Sequence, residues 1–354
     1  MPKRVGNLYQ RFSDRDFVKT VILMACKGKT KRREVRRILA DPDGYAEKLC
    51  TMLETGAYKP RKPSVSLKYD DSSQKWRTIR TLPFFPDCCI QWLVVEVLKQ
   101  PVFMRGMDPY SSASIPGRGG RHIYKKLKHQ LTKKRKASKY AFQCDIHHYY
   151  DNINITLLMK KLRRRCKDER VLKLIEDILR TTASDDIGET GLCIGFYMNQ
   201  WLANFYIEDS DRVIRNHKAS SCYTRYMDNM TILSGNKRKL RKLRMAIEEK
   251  LKELRLELKS DWQIYPTRSR SVQAVGYRFY ASGAVRIRKR SWLKMRRQFL
   301  RVRAKQKAGL YIPKRMARGI LSRFGNLKHL NSSRKIMREY VPQIDFADIR
   351  RIAA

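Results

Sequence analysis

One stretch constrains the fold more than any other: Tyr223-Thr224-Arg225-Tyr226-Met227-Asp228-Asn229-Met230-Thr231-Ile232-Leu233-Ser234. Two short arms of strand-forming residues flank an Asp-Asn pair, the pattern of a β-hairpin with a two-residue polar tip. Gly235-Asn236 closes the far end. Such a hairpin presents Asp228 and Asn229 outward from a rigid pair of strands. Asp-Asn is also ordinary turn chemistry, so the stretch alone reads as a surface hairpin. Its weight comes from two others, Gln143 to Ile153 and Gly191 to Tyr206.

Ala141-Phe142-Gln143-Cys144-Asp145-Ile146 reads as a strand. An Asp inside an otherwise apolar strand is expensive to bury unless it meets a cation or a hydrogen-bond donor. If this strand neighbours the hairpin, Asp145 and Asp228 converge on one point. Mg²⁺ prefers few carboxylates, several waters and phosphate oxygens, and the backbone carbonyl of Ile146 offers a further oxygen. Two such ions, with Mn²⁺ as the alternative, suit an in-line nucleotidyl transfer between a 3′-hydroxyl and a triphosphate.

The charge balance points to the same kind of partner. The chain of 354 residues carries 79 Lys+Arg against 33 Asp+Glu, a formal net charge of +46. Self-repulsion of that size is relieved by polyanions, with nucleic acid first and an anionic membrane surface second. No apolar run reaches spanning length, and Met1-Pro2-Lys3-Arg4 lacks the apolar core of a signal peptide, so the expectation is a cytoplasmic protein that spans no membrane. The eight cysteines contain no Cys-x-x-Cys pair and read as buried apolar residues rather than ligands. His147-His148, read as strand neighbours, would point to opposite faces and share no metal.

Along the chain, residues 1–60 read as a basic helical N-terminal extension. Ser64 to Tyr69 and Trp76 to Leu82 read as a hairpin joined by the polar turn Asp70 to Gln74. It carries Lys68, Lys75, Arg77 and Arg80, cations suited to a triphosphate or a nucleic-acid backbone. Asp87 to Phe103 reads as a buried helix stopped by Pro101. In Ser114-Ile115-Pro116-Gly117-Arg118-Gly119-Gly120-Arg121 the glycines let backbone approach a phosphate, with Arg118 and Arg121 alongside. Leu157 to Thr182 is helical by its periodicity, and Met198 to Ile214 reads as one long amphipathic helix whose Glu208, Asp209 and Asp211 are solvated. Lys237 to Leu256 reads as a charged helix, Val272 to Tyr280 as a strand, and the Arg- and Lys-rich remainder from 281 as a small helical domain.

With these residues in view the chain resembles reverse transcriptases. Phe142 to Ile153 is similar to their motif A, Ile194 to Tyr206 to motif B, and Tyr226-Met227-Asp228-Asn229 to motif C, usually Tyr-x-Asp-Asp. Leu258-Lys259-Ser260-Asp261-Trp262 resembles motif D, and Val275-Gly276-Tyr277-Arg278 resembles motif E, the primer grip. The resemblance implies an α+β right-hand polymerase fold, with fingers (61–141, including part of the palm), palm (142–280, motifs A to E) and a basic helical thumb (281–354). It implies that Asp145, Ile146 and Asp228 hold two Mg²⁺ ions, with Asn229 beside them, and that Lys259 protonates the leaving pyrophosphate. Arg77 and Lys68 would meet the incoming dNTP, Tyr150 would exclude its 2′-hydroxyl, and Gln200 would pack near the nascent pair. Tyr226, Met227, Gly276, Tyr277 and Arg118 would contact an RNA template and a DNA or RNA primer.

The subgroup most similar in motif B is that of diversity-generating retroelements, Ile-Gly-x-x-x-Ser-Gln, with Asn199 in place of Ser. It implies cDNA synthesis on a template RNA and a small helical accessory protein as partner. A phage-defence reverse transcriptase is a second reading. Asn229 in place of the usual Asp opens a third, a catalytically weak or silent RNA-binding scaffold.

Overall fold

The computed structural model describes residues 3–70, 75–327, 338–339 and 343–354. Three helices open the chain: α1 (Arg15–Cys26), α2 (Arg33–Ala40) and α3 (Pro42–Glu54). Asp14 and Asp41 cap α1 and α3 by accepting backbone N–H bonds from Phe17 and Gly44. Their apolar faces (Val18, Ile22, Leu49, Leu53) join one hydrophobic core with α4 (Cys89–Leu98).

Between them stands an antiparallel ribbon, β1 (Ser64–Asp70) and β2 (Lys75–Thr81), in which Lys68 faces Arg77. The expected connection at Asp71 to Gln74 lies outside the described residues. Pro101 does not stop the following helix as expected. Regular α-helix ends at Leu98, and wider helical turns carry on through Pro101 to Met104.

A four-stranded antiparallel sheet in the order β4-β5-β3-β6 forms the centre: β3 (Tyr140–Cys144), β4 (Cys222–Tyr226), β5 (Asn229–Ser234) and β6 (Gln263–Pro266). Its register follows from alternation. Phe142 lies opposite Ile232, which lies opposite Tyr223, and all three enter the larger core. Ala141, Leu233, Cys222 and Tyr265 point the other way, into a second core under α5 (Gly120–Lys133). Toward the tip this second face turns polar, with Gln143, Thr231, Thr224 and Gln263 in place of the apolar residues. One face therefore holds the sheet down at one end and lines a wet cavity at the other.

Helices α6 (Ile155–Arg163) and α7 (Glu169–Thr181) follow β3, capped by Asn154 and Asp168. The expected long helix is two, α8 (Tyr197–Tyr206) and α9 (Glu208–Asn216), broken at Ile207. Its acids are not solvated. Glu208 and Asp211 are buried, Glu208 against Arg165 and Asp211 against Arg225, while Asp209 pairs with Lys161. Asn236 caps α10 (Lys237–Glu253).

The expected strand at Val272 to Tyr280 is also two, β7 (Val272–Ala274) and β8 (Tyr277–Phe279). They are folded back on each other by a turn with positive φ at Val275 and Gly276. The C-terminal part is not purely helical, because β9 (Val285–Ile287) pairs with β8 before α11 (Lys289–Lys307), α12 (Lys314–Leu327) and α13 (Phe346–Ala353). These three helices share the second core with α5. All eight cysteines are free. Among the described residues no helix is long and apolar enough to cross a membrane.

Candidate active site

β3 and β5 are neighbours, with Cys144 opposite Met230. Asp145 therefore leaves the end of β3 beside the β4–β5 tip. The tip is one residue earlier than the Asp-Asn pair predicts. Tyr226 pairs with Asn229, so the turn is Met227-Asp228, with Met227 at φ +55 and Asn229 opening β5. Only the first central residue has positive φ, a turn that matches strand twist but rarely accepts a side chain like Met.

The chain after Asp145 is not strand. His147 and His148 sit in a turn with rings 4.3 Å apart, and each faces a carboxylate, Glu257 or Asp151. Ile146 bridges to Leu258 through the flanking backbone groups, Lys259 N to Asp145 O and His147 N to Glu257 O, both 2.9 Å. This bridge leaves the Ile146 carbonyl out of the pairing and lays Lys259 alongside Asp145, with its Nζ 2.9 Å from Oδ2. That hydrogen bond, more than the charge itself, raises the Lys259 pKa.

The two carboxyl groups are in conflict. Burial first, and the Asp145 carboxylate second, push Asp228 up to about 6, although Asn229 Nδ2 donates to its Oδ1 at 3.2 Å. Asp145 Oδ1 is buried with no hydrogen-bond partner. An orphaned carboxylate oxygen beside an acid held above its ordinary range is what a divalent cation would satisfy, so the residues fit such an ion. Among the described residues no group of three or more His, Cys, Asp or Glu converges. Asp145 and Asp228 are the two acids whose carboxyl groups interact here.

An open cavity of roughly 650 Å³ lies against Asp145, lined also by Gln143, Thr231, Tyr226, Asn229, Asp261 and Gly276. Gln143 joins its walls: Nε2 donates to Thr231 Oγ1 and Gln273 O, and Oε1 accepts from Tyr265. Gly276, at φ +86, leaves open space where a side chain would stand. Tyr150 is half-buried with its hydroxyl 3.5 Å from Met227 Sδ, and burial drives the phenol pKa up.

Other expected residues stand apart from the carboxylates. Lys68 and Arg77 lie on the exposed ribbon. Arg80, from the same ribbon, is an anchor, donating to Ser184 Oγ and O at 2.8 and 2.9 Å. Arg118 braces its own loop through the carbonyls of Asp108 and Ser111. Gln200 is half-buried on α8, where its carbonyl accepts from Asn204, and Tyr277 packs on Tyr124 at 5.3 Å. Sequence reasoning missed Arg225 and its partners Asp211 and Asn204. The signal was an arginine inside an apolar strand, as conspicuous as the aspartate that was noticed.

The family described as reverse transcriptase (RNA-dependent DNA polymerase) matches residues 61–279. No curated protein matches the sequence. Among solved structures the chain is similar to apo telomerase from Candida tropicalis, at 12% identity, TM-score 0.47, over 65% of this chain and 49% of that one. It is similar also to telomerase from Candida albicans in complex with a TWJ fragment of telomeric RNA, at 10% identity, TM-score 0.48, over 83% and 56%. The chain spans about half the length of these two structures.

Proposed function

The chain belongs to the reverse transcriptase (RNA-dependent DNA polymerase) family, and on that footing we propose that it extends a DNA or RNA primer with dNTPs on an RNA template. The observation that carries this reading is the strained carboxylate pair, Asp145 with an orphaned oxygen beside an Asp228 pushed up to about 6. Asp145 and Asp228, with the Ile146 carbonyl, are the residues that would hold Mg²⁺ or Mn²⁺. Two such ions supply activation of the 3′-hydroxyl and screening of the pyrophosphate charge. Lys259 is placed to hold Asp145 in register and, once released from it, to give a proton to the leaving group. Tyr150, against Met227, forms the wall that rejects a 2′-hydroxyl. Lys68 and Arg77 face each other on a ribbon suited to a triphosphate.

In this assignment residues 61–141 serve as fingers, 142–280 as palm and 281–354 as thumb, after a basic helical N-terminal extension. Tyr226, Met227, Gly276, Tyr277 and Arg118 serve the primer and template, and Gln200 the nascent pair. The motif B sequence supports a diversity-generating retroelement enzyme with a small helical accessory protein. Asn229, an amide where motif C usually has a second Asp, supports the rival reading of a weak or silent scaffold.

Primer extension on an annealed RNA template with Mg²⁺ and dNTPs separates these readings. The expected result is extension by the wild type that Asp228→Ala abolishes with RNA binding retained. Activity in Asn229→Asp alone would mark a weakened site. Silence from both, with tight RNA binding, would favour the scaffold.

A further inference from the structure

Arg225 lies on β4 just before the tip, and its side chain is wholly buried. Its Nε and Nη2 donate to the two oxygens of Asp211 at 2.7 and 2.6 Å, a bidentate pair with α9. Nη1 donates to Asn204 Oδ1 on α8 and to the backbone carbonyl of Met227, both at 2.9 Å. Each partner is itself fixed. Asp211 Oδ1 accepts the Tyr223 hydroxyl, and Asn204 Nδ2 donates to the carbonyls of Ala113 and Gln200. The Arg225 backbone is held too, its N–H donating to Tyr110 O and its carbonyl accepting from Ser112 N.

Burying this ion pair is a poor route to stability, because apolar residues of the same volume serve as well or better. The fork does something an apolar residue cannot. It holds the carbonyl of Met227, the residue at φ +55 whose unfavourable conformation aims the next residue, Asp228. The other side-chain contacts of the tip are Asn229 Nδ2 to Asp228 Oδ1 at 3.2 Å and the Tyr150 hydroxyl to Met227 Sδ at 3.5 Å, and neither holds the Met227 backbone. We infer that Arg225 is a positioning residue: through Asp211 and Asn204 it fixes the Met227 carbonyl to the body of the protein and thereby sets where the Asp228 carboxylate meets a divalent cation. The inference rests on the polymerase reading for its consequence in catalysis, and on geometry alone for its consequence in metal binding.

Two variants test it in the full chain. Arg225→Lys keeps the charge beside Asp211 but cannot reach Asp211, Asn204 and Met227 at once. The double variant Arg225→Met/Asp211→Leu removes the clamp and the buried charges together. Melting curves report folding, Mn²⁺ titration by electron paramagnetic resonance reports metal binding, and primer extension reports turnover. The expected result is folded variants that bind template-primer as the wild type does, need about tenfold more Mn²⁺, and turn over roughly 10- to 100-fold more slowly at unchanged KM for template-primer. A folded variant with wild-type Mn²⁺ affinity overturns the inference. Unfolding of both overturns it too, since the cluster would then serve the fold as a whole. A wild type that binds Mn²⁺ but makes no cDNA sinks the polymerase reading, and the Mn²⁺ titration still decides the role of Arg225.

Discussion

Replacing Asp228 with Asn should stabilise the metal-free protein while destroying the site. The carboxyl is raised from 3.8 to about 6, first by burial and then by Asp145. At ~1.4 kcal/mol per pH unit this gap amounts to ~3 kcal/mol of penalty on the charged carboxylate above pH 6, from burial first and repulsion by Asp145 second. The carboxyl is partly open to solvent and Asn229 offsets some of the conflict, so roughly 1–3 kcal/mol is the gain expected from Asp228→Asn, or a few degrees in Tm. An amide at 228 also brings N–H donors next to Asp145 Oδ1, which has no partner. The sign follows from proton binding. The folded state holds this proton more tightly than the unfolded state, so the wild type loses stability as pH rises from about 4 to about 6 and stays low above it. The variant lacks that window. Denaturant melts in EDTA at pH 7.5 should therefore place Asp228→Asn above the wild type, with the two curves converging toward pH 4. Mg²⁺ should reverse the order, because only the wild type gains binding energy, ~4.1 kcal/mol at a thousandfold excess over Kd. Equal or lower stability of Asp228→Asn in EDTA would refute the penalty on a charged Asp228 from which the metal assignment is argued.

Lys259→Ala should lower turnover about 100-fold, as for loss of a general acid. Stability should change by less than about 1 kcal/mol, because the Lys259–Asp145 pair is more than a third exposed on the lysine side; single-turnover kinetics and melts measure the two effects separately. Tyr150→Ala should relax discrimination against ribonucleotides in paired rNTP and dNTP incorporation assays, and unchanged discrimination would remove its assignment as the gate. With a net charge of +46, affinity for a template-primer duplex should fall roughly 10³-fold or more between 50 and 200 mM salt, read from the slope of log K against log salt.

The central hairpin was legible because its information is local: strand formers, a polar tip and a two-residue period fix β4 and β5. The pairing with β3 was legible for a related reason, since an Asp at the end of an apolar strand needs company. What local pattern misplaced was the tip itself. Asp-Asn is favoured turn chemistry, yet the turn is Met227-Asp228 and Asn229 pairs with Tyr226. A methionine at positive φ is unfavourable by itself and is held by the carbonyl bond from Arg225, which turn propensity does not contain. The helix expected from Met198 to Ile214 failed likewise. Its apolar periodicity continues across Ile207, but the acids beyond the break are drawn inward to partners remote in sequence, Glu208 to Arg165 and Asp211 to Arg225.

The two misreadings share a cause. The physical argument applied to Asp145, that a charge within an apolar strand must be met by a partner, applies with equal force to Arg225, which stands in the hairpin that pairs with that strand. Carried through, it demands a buried acid, and that demand contradicts a solvated α9. The acids of Glu208 to Asp211 then cease to be the wet face of an amphipathic helix and become the place to look for the missing counter-charge. An arginine fork has more donors than one carboxylate can accept, so an Asp211 partner leaves N–H groups over. In this chain they are directed at Asn204 and at the turn that carries Asp228.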